Sequence, residues 1–141
     1  MTNKRIFVIE DVLELKSIEN LFKRNLRKEE YELVTRADLS DEKVFMQHFP
    51  EGYDIYWFHT SAIEEEAIDE LKIKQPWSKL IARVRTRDTD PKSPGYGYFN
   101  YMRKKVDYAL SHDKEIDEKR VREVFELFDV KLSLMEEVKN D

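Results

Sequence analysis

A chain of 141 residues is within the usual size of one domain and long enough to bury a core, so a single domain over 1–141 is expected. The absence of cysteine excludes disulfides, thiolate nucleophiles and thiolate metal sites, and it fits a reducing, cytoplasmic compartment. No apolar run approaches the roughly 20 residues that span a bilayer, and Met1-Thr2-Asn3-Lys4-Arg5 leads into too short an apolar stretch for a secretory signal, so a soluble protein with no membrane contact is expected.

The net charge of -5 is unevenly distributed. Segment 79–105 holds Lys79, Arg83, Arg85, Arg87, Lys92, Arg103, Lys104 and Lys105 against only Asp88 and Asp90, which makes it basic within an acidic chain. Segregation of this kind bears on partners rather than on fold.

The opening Lys4-Arg5-Ile6-Phe7-Val8-Ile9-Glu10-Asp11 reads as a buried parallel strand with two acids at its carboxyl end, where ligands and chemistry collect in open α/β sheets. Leu15, Ile18, Leu21, Phe22 and Leu26 then recur at three- and four-residue spacing, which predicts a helix over about 12–28. Tyr31-Glu32-Leu33-Val34-Thr35 alternates as a half-buried strand, and Ser40 is a plausible N-cap for a short helix carrying Val44, Phe45 and Phe49, ended by Pro50-Glu51-Gly52. The run Ile55 to Phe58 is placed as a central strand, with His59 closing it. Ser61 to Glu64 has the spacing of a capping box, so the next helix is expected to start almost on top of His59 and to close at Pro76.

Lys79-Leu80-Ile81-Ala82-Arg83-Val84 is the fourth strand, 86–95 a loop, and Tyr96 to Lys105 a short irregular helix. Val106-Asp107-Tyr108-Ala109-Leu110 is a brief fifth strand. From Asp117, the residues Val121, Val124, Phe125, Phe128, Leu132, Met135 and Val138 keep helical spacing, so 129–141 is expected to extend the last helix. Strands alternating with helices, joined by connections too long for hairpins, imply a parallel sheet covered on both faces. The apolar stripe through Leu132, Met135 and Val138 runs past the expected end of the sheet and predicts a homodimer through the terminal helix; a tail folded back on its own domain is the alternative.

The order and spacing of these pieces resemble the receiver domain of bacterial response regulators over about residues 4–128. The features that carry the likeness are the pair Glu10-Asp11, Tyr53-Asp54 before strand three, Val84-Arg85-Thr86-Arg87-Asp88 after strand four, and Val106 to Leu110 before the last helix. The expected architecture is a flavodoxin-like three-layer sandwich, a five-stranded parallel sheet with helices on both faces. The resemblance further implies that the acidic pair binds magnesium, an aspartate ending strand three takes a phosphoryl group, a serine or threonine ends strand four, and a lysine ends strand five. Glu10 and Asp11 match the acidic pair, but His59 stands where the acceptor aspartate should be. Arg85 falls nearest the hydroxyl position with Thr86 one place on, and Ser111 or His112 falls where the lysine is expected. These departures remove the acceptor carboxylate and the cation that would pair with its phosphate, so the likeness is to a degenerate pseudo-receiver with Glu10, Asp11, His59 and Thr86 as a degenerate acidic pocket.

Glu10, Asp11 and His59 are competent ligands for manganese or zinc, but magnesium prefers oxygen, and the acids are expected instead to cap the first helix or pair with a nearby base. No metal, cofactor or catalytic residue is expected. A Toprim nuclease needs Asp-x-Asp where this chain has His59-Thr60-Ser61. There is no Walker motif, Gly95-Tyr96-Gly97 is too short for a dinucleotide fingerprint, and His48 and His112 read as surface residues. The candidate partner-binding residues are Arg83, Arg85, Arg87, Lys92, Tyr96, Tyr98, Tyr101, Arg103, Lys104 and Lys105. Their basic and aromatic mix suits an acidic protein partner or the phosphates and bases of nucleic acid, and it also suits a solvated charged surface over core aromatics. In receivers the face formed by helix four, strand five and helix five is the usual docking surface, and by resemblance this segment covers much of it. The expected function is a non-catalytic signalling or adaptor module acting by protein–protein interaction. The alternatives are a nucleic-acid or nucleotide-binding module using 79–105, or a TIR-like or metal-dependent enzyme.

Overall fold

Three apolar runs become the centre of the sheet: β1 (Lys4–Glu10), β3 (Ile55–His59) and β4 (Lys79–Val84). From Ile6 to Glu10, Ile55 to His59 and Leu80 to Val84 every residue is buried, as parallel strands covered on both faces require. The computed structural model describes residues 4–10, 12–27, 30–37, 48–60, 63–84, 92, 96–111 and 118–128. Within these, β2 (Tyr31–Ala37) and β5 (Tyr108–Ser111) form the edges of a five-stranded sheet of order β2-β1-β3-β4-β5, and every pair is parallel. This is the flavodoxin-like order, and its switch point lies at the carboxyl ends of β1 and β3.

Helices α1 (Val12–Asn25) and α4 (Glu118–Leu127) cover one face, and α2 (Glu65–Lys74) and α3 (Tyr96–Lys105) cover the other. Ile18, Phe22, Val121, Val124 and Phe125 pack with Ile6, Val8, Trp57, Ile81 and Leu110, and Phe22 stands edge-on to Trp57 at 5.2 Å and to Phe125 at 5.1 Å. On the opposite face Ala67, Ile68, Leu71 and Met102 meet Phe7, Ile9, Tyr56, Phe58, Leu80 and Ala82.

Two aspartates fix the strand register in the same way. The Asp54 carboxylate accepts the Arg5 N–H at 2.8 Å while the Asp54 N–H donates to the Arg5 carbonyl at 2.8 Å. The Asp107 carboxylate accepts the Leu80 N–H at 2.8 Å, and the Asp107 N–H donates to the Leu80 carbonyl at 3.0 Å. Each aspartate thus ties the residue before its strand to a neighbouring strand, and in a sheet buried on both faces a one-residue slip would turn every side chain over.

The amino end of the sheet is held by a buried polar network. The two N–H groups of the Gln75 amide are shared among the Tyr53 carbonyl, the Tyr56 hydroxyl and Ser78 Oγ, and its Oε1 accepts the Gly52 N–H at 2.7 Å. The Tyr56 hydroxyl donates to the Pro50 carbonyl at 2.7 Å, and burial pushes that phenol above its ordinary range. Gly52 makes the turn into this network with φ of +94°, a conformation that side-chain-bearing residues rarely adopt.

Several boundaries differ from the sequence expectation. Helix α2 begins at Glu65, with Glu64 as an N-cap that makes no side-chain cap bond, instead of starting at Ser61. Ile63, which a helix begun at Ser61 would carry on its first turn, is instead buried in the core just before the N-cap. Strand β5 starts at Tyr108 because the Val106 N–H still bonds the Met102 carbonyl of α3. The helix expected after Ser40 falls almost wholly on 38–47, and the terminal extension and dimer stripe on 129–141; both lie outside the described residues.

Candidate functional site

Strand register brings three charged or titratable side chains into one row at the carboxyl end of the sheet. Ile9 pairs with Phe58, which sets Glu10 beside His59, and His59 pairs with Arg83. Parallel strands in register point matched residues to the same face, here the face covered by α1 and α4. Trp57 lies two residues before His59 and points the same way.

Glu10 and Arg83 join across β3. Arg83 Nε donates to Glu10 Oε2 at 2.6 Å and Arg83 Nη2 donates to Oε1 at 2.6 Å, while Trp57 Nε1 donates to Oε2 at 2.8 Å. Glu10 and Trp57 are 0% exposed and Arg83 is 1% exposed. The fork matches guanidinium to carboxylate through two parallel bonds, and the indole N–H adds a third donor. The expectation that Glu10 pairs with a nearby base is therefore met, and the base is one that the sequence had placed elsewhere.

The residues present do not fit a divalent cation at Glu10. Both carboxylate oxygens accept from Arg83, so an ion entering there would displace the fork and leave a buried guanidinium beside a second positive charge. His59, at 6% exposure, supplies in the same row a nitrogen where magnesium would need an oxygen ligand. Asp11 and Thr86, the other members of the expected pocket, lie outside the described residues.

The structure corrects two of the expected partner-binding residues. Arg83 is not on a surface: it sits in a central strand with both faces covered, and its charge is neutralised inside the sheet. Lys105 is not offered to solvent either. Its side chain is 9% exposed, with Nζ at 2.8 Å from Asp69 and 3.3 Å from Glu65 of α2 and at 3.0 Å from the Tyr101 hydroxyl. Burial alone would lower the Lys105 pKa, but these bonds outweigh it and hold the ammonium above the ordinary lysine range. The Tyr101 hydroxyl donates in turn to Glu65 at 2.9 Å, although its ring is exposed.

Arg103, Lys104 and Lys92 are exposed, Tyr96 and Tyr98 are carried on the first turn of α3, and Arg85 and Arg87 lie outside the described residues. His48 is at the surface as expected, and its hydrogen bond with Glu70 holds that carboxyl below its usual range.

Sequence reasoning missed Trp57 as a partner of Glu10. The signal was present in outline, because a buried indole on a central strand needs an acceptor and Glu10 closes the neighbouring strand.

No family model matches the sequence, and no curated protein matches it. In structure the chain is similar to a CheY-like response regulator receiver domain protein from Methanospirillum hungatei JF-1, with a TM-score of 0.57 and 16% identity over 91% of this chain and 95% of that one. It is also similar to a chain described as an adenylate cyclase from Rhodopirellula baltica, with a TM-score of 0.55 and 13% identity over 89% of this chain and 87% of that one. At these identities the likeness is one of fold: this is a receiver-like, flavodoxin-type α/β domain. None of its described helices is long and apolar enough to cross a membrane.

Proposed function

We propose that this chain is a pseudo-receiver, a signalling or adaptor module that presents a surface to a protein partner and performs no phosphoryl chemistry. The observation that carries this reading is the Glu10–Arg83 fork. In the place where a receiver would hold a metal ion with an acid of its first strand, this chain neutralises that acid with its own guanidinium. A phosphoryl group on His59 would add about two negative charges to a buried row in which the Arg83 guanidinium is already paired with Glu10, which burial opposes.

Arg103 and Lys104 remain as exposed cations for an acidic partner. Arg83 and Lys105 are spent within the chain, which removes two of the charges that nucleic-acid binding would draw on. Calorimetric titration with magnesium and with manganese tests the reading. We expect no saturable heat up to millimolar metal; a saturable isotherm with Kd below about 1 mM would overturn it.

A further inference from the structure

Of the four large apolar side chains that stand exposed among the described residues, two flank a single turn: Ile73, 81% exposed at the end of α2, and Trp77, 60% exposed before β4. Next to this turn a groove of about 280 Å³ opens between the carboxyl ends of α2 and α3. Leu71, Leu80 and Val106 give the apolar part of its lining, with Gln75 and Ser78 beside them. Its rim is basic. Lys72 reaches across from α2 and its Nζ donates to the Lys105 carbonyl at 2.7 Å, which uses one of the three ammonium donors. Lys104 is exposed on the opposite rim. The acid lining the groove, Asp107, already accepts the Leu80 N–H, and the Lys105 ammonium is turned away toward Glu65 and Asp69.

We propose that this groove docks an extended acidic segment of a protein partner, one that sets an apolar side chain against Leu71, Leu80 and Val106 and its carboxylates against Lys72 and Lys104. An exposed tryptophan beside a small cavity that is partly apolar has the make-up of an interface anchor, and the charge left over at the rim is positive. An anionic membrane fits less well. A flat charged surface cannot reach the recessed Leu71, Leu80 and Val106 side chains, whereas an extended segment can. This inference rests on the reading that the domain acts through protein contacts, and it places one such contact on the α2–α3 side of the sheet.

The chain carries two tryptophans, and Trp57 is 0% exposed, so a change in indole emission on binding reports Trp77. The test is to select peptides from a random 12-residue display library on the full chain, then titrate the winners and follow that emission. We expect enriched peptides that combine Glu or Asp with an aromatic or aliphatic residue, and a blue shift on binding. Lys104→Glu should weaken binding at least tenfold and Trp77→Ala should weaken it similarly, while Lys23→Glu on α1 leaves it unchanged. Both target positions are exposed, so loss of folding is not the expected cause, and a circular dichroism spectrum checks this.

The inference is overturned if no peptide is enriched, if the winners are neutral or basic, or if they bind Lys104→Glu and Trp77→Ala as well as the parent. It is equally overturned, in favour of a lipid surface, if phosphatidylserine vesicles shift Trp77 and peptides do not. Peptides that map elsewhere sink the groove and leave the pseudo-receiver reading standing. Metal binding by calorimetry does the reverse.

Discussion

Two charges at 0% and 1% exposure would each cost several kcal/mol to desolvate alone, so Glu10 and Arg83 are tolerable in the sheet only as a pair. The fork satisfies both oxygens, and the Trp57 indole takes up further acceptor capacity. Removing one member leaves the other charged and buried. Arg83→Met alone should therefore destabilise by about 3–5 kcal/mol, and Glu10→Gln alone by a comparable amount. The double variant Glu10→Gln/Arg83→Met should be more stable than either single one, because no orphaned charge remains and the glutamine oxygen still accepts from Trp57. Urea denaturation of the four proteins measures this coupling. Additive losses would mean that the two residues act independently.

At the scale of elements, the two ends of the α2 helix are fastened by different physics. Its carboxyl end relies on Gln75, whose buried amide serves Gly52, Tyr53, Tyr56 and Ser78 together. Its exposed flank relies on Asp69 and Glu65 holding Lys105 of α3. Unsatisfied buried groups cost about 1–3 kcal/mol, whereas half-exposed ion pairs are worth about 1 kcal/mol or less. Gln75→Leu should thus cost more than Lys105→Met, and equal losses would show that the amide network is not a tie.

The pH dependence separates the two further. The folded-state pKa of Lys105 is raised, so its contribution is fully present below the unfolded value of about 10.4 and is lost as pH climbs through the folded one. The stability gap between the parent and Lys105→Met should stay constant from neutral pH to about pH 9.5 and narrow only above the ordinary lysine range. A gap that closes near neutrality would assign the effect to another group.

Elements of this kind were legible where one periodicity governed them. Lys79–Val84 and Tyr96–Lys105 have the bounds that their apolar and loop signals give. The start of α2 at Glu65 was not legible from the spacing at Ser61, and the burial of Ile63 in the core is a tertiary contact that the local sequence does not announce.

For the whole molecule, alternation of strands and helices was enough to read a parallel sheet with both faces covered, and the observed order β2-β1-β3-β4-β5 follows that reading. The site was legible only in part. Glu10 and His59 could be placed at strand ends from their own runs, but the fate of Arg83 depends on register across a separation of 73 residues. Asp54 pins both steps of that register, its carboxylate accepting the Arg5 N–H of β1 and its carbonyl accepting the Lys79 N–H of β4 at 2.8 Å, bonds that belong to the assembled sheet. A charged residue inside an apolar central strand does carry a warning, since a strand covered on both faces leaves no exposed side for it. Read with that constraint, Arg83 points inward, and the acid that ends β1 is its natural partner.

The claim at the centre of this account is that the carboxyl end of the sheet is closed to phosphoryl chemistry by its own ion pair and by the imidazole at His59. Beryllofluoride, which mimics a phosphoryl group and needs an acceptor carboxylate with magnesium, tests it directly through the amide spectrum of the full chain. The account predicts a spectrum unchanged at saturating beryllofluoride and magnesium; site-specific shifts gathered around Glu10, His59 and the end of β4 would contradict it.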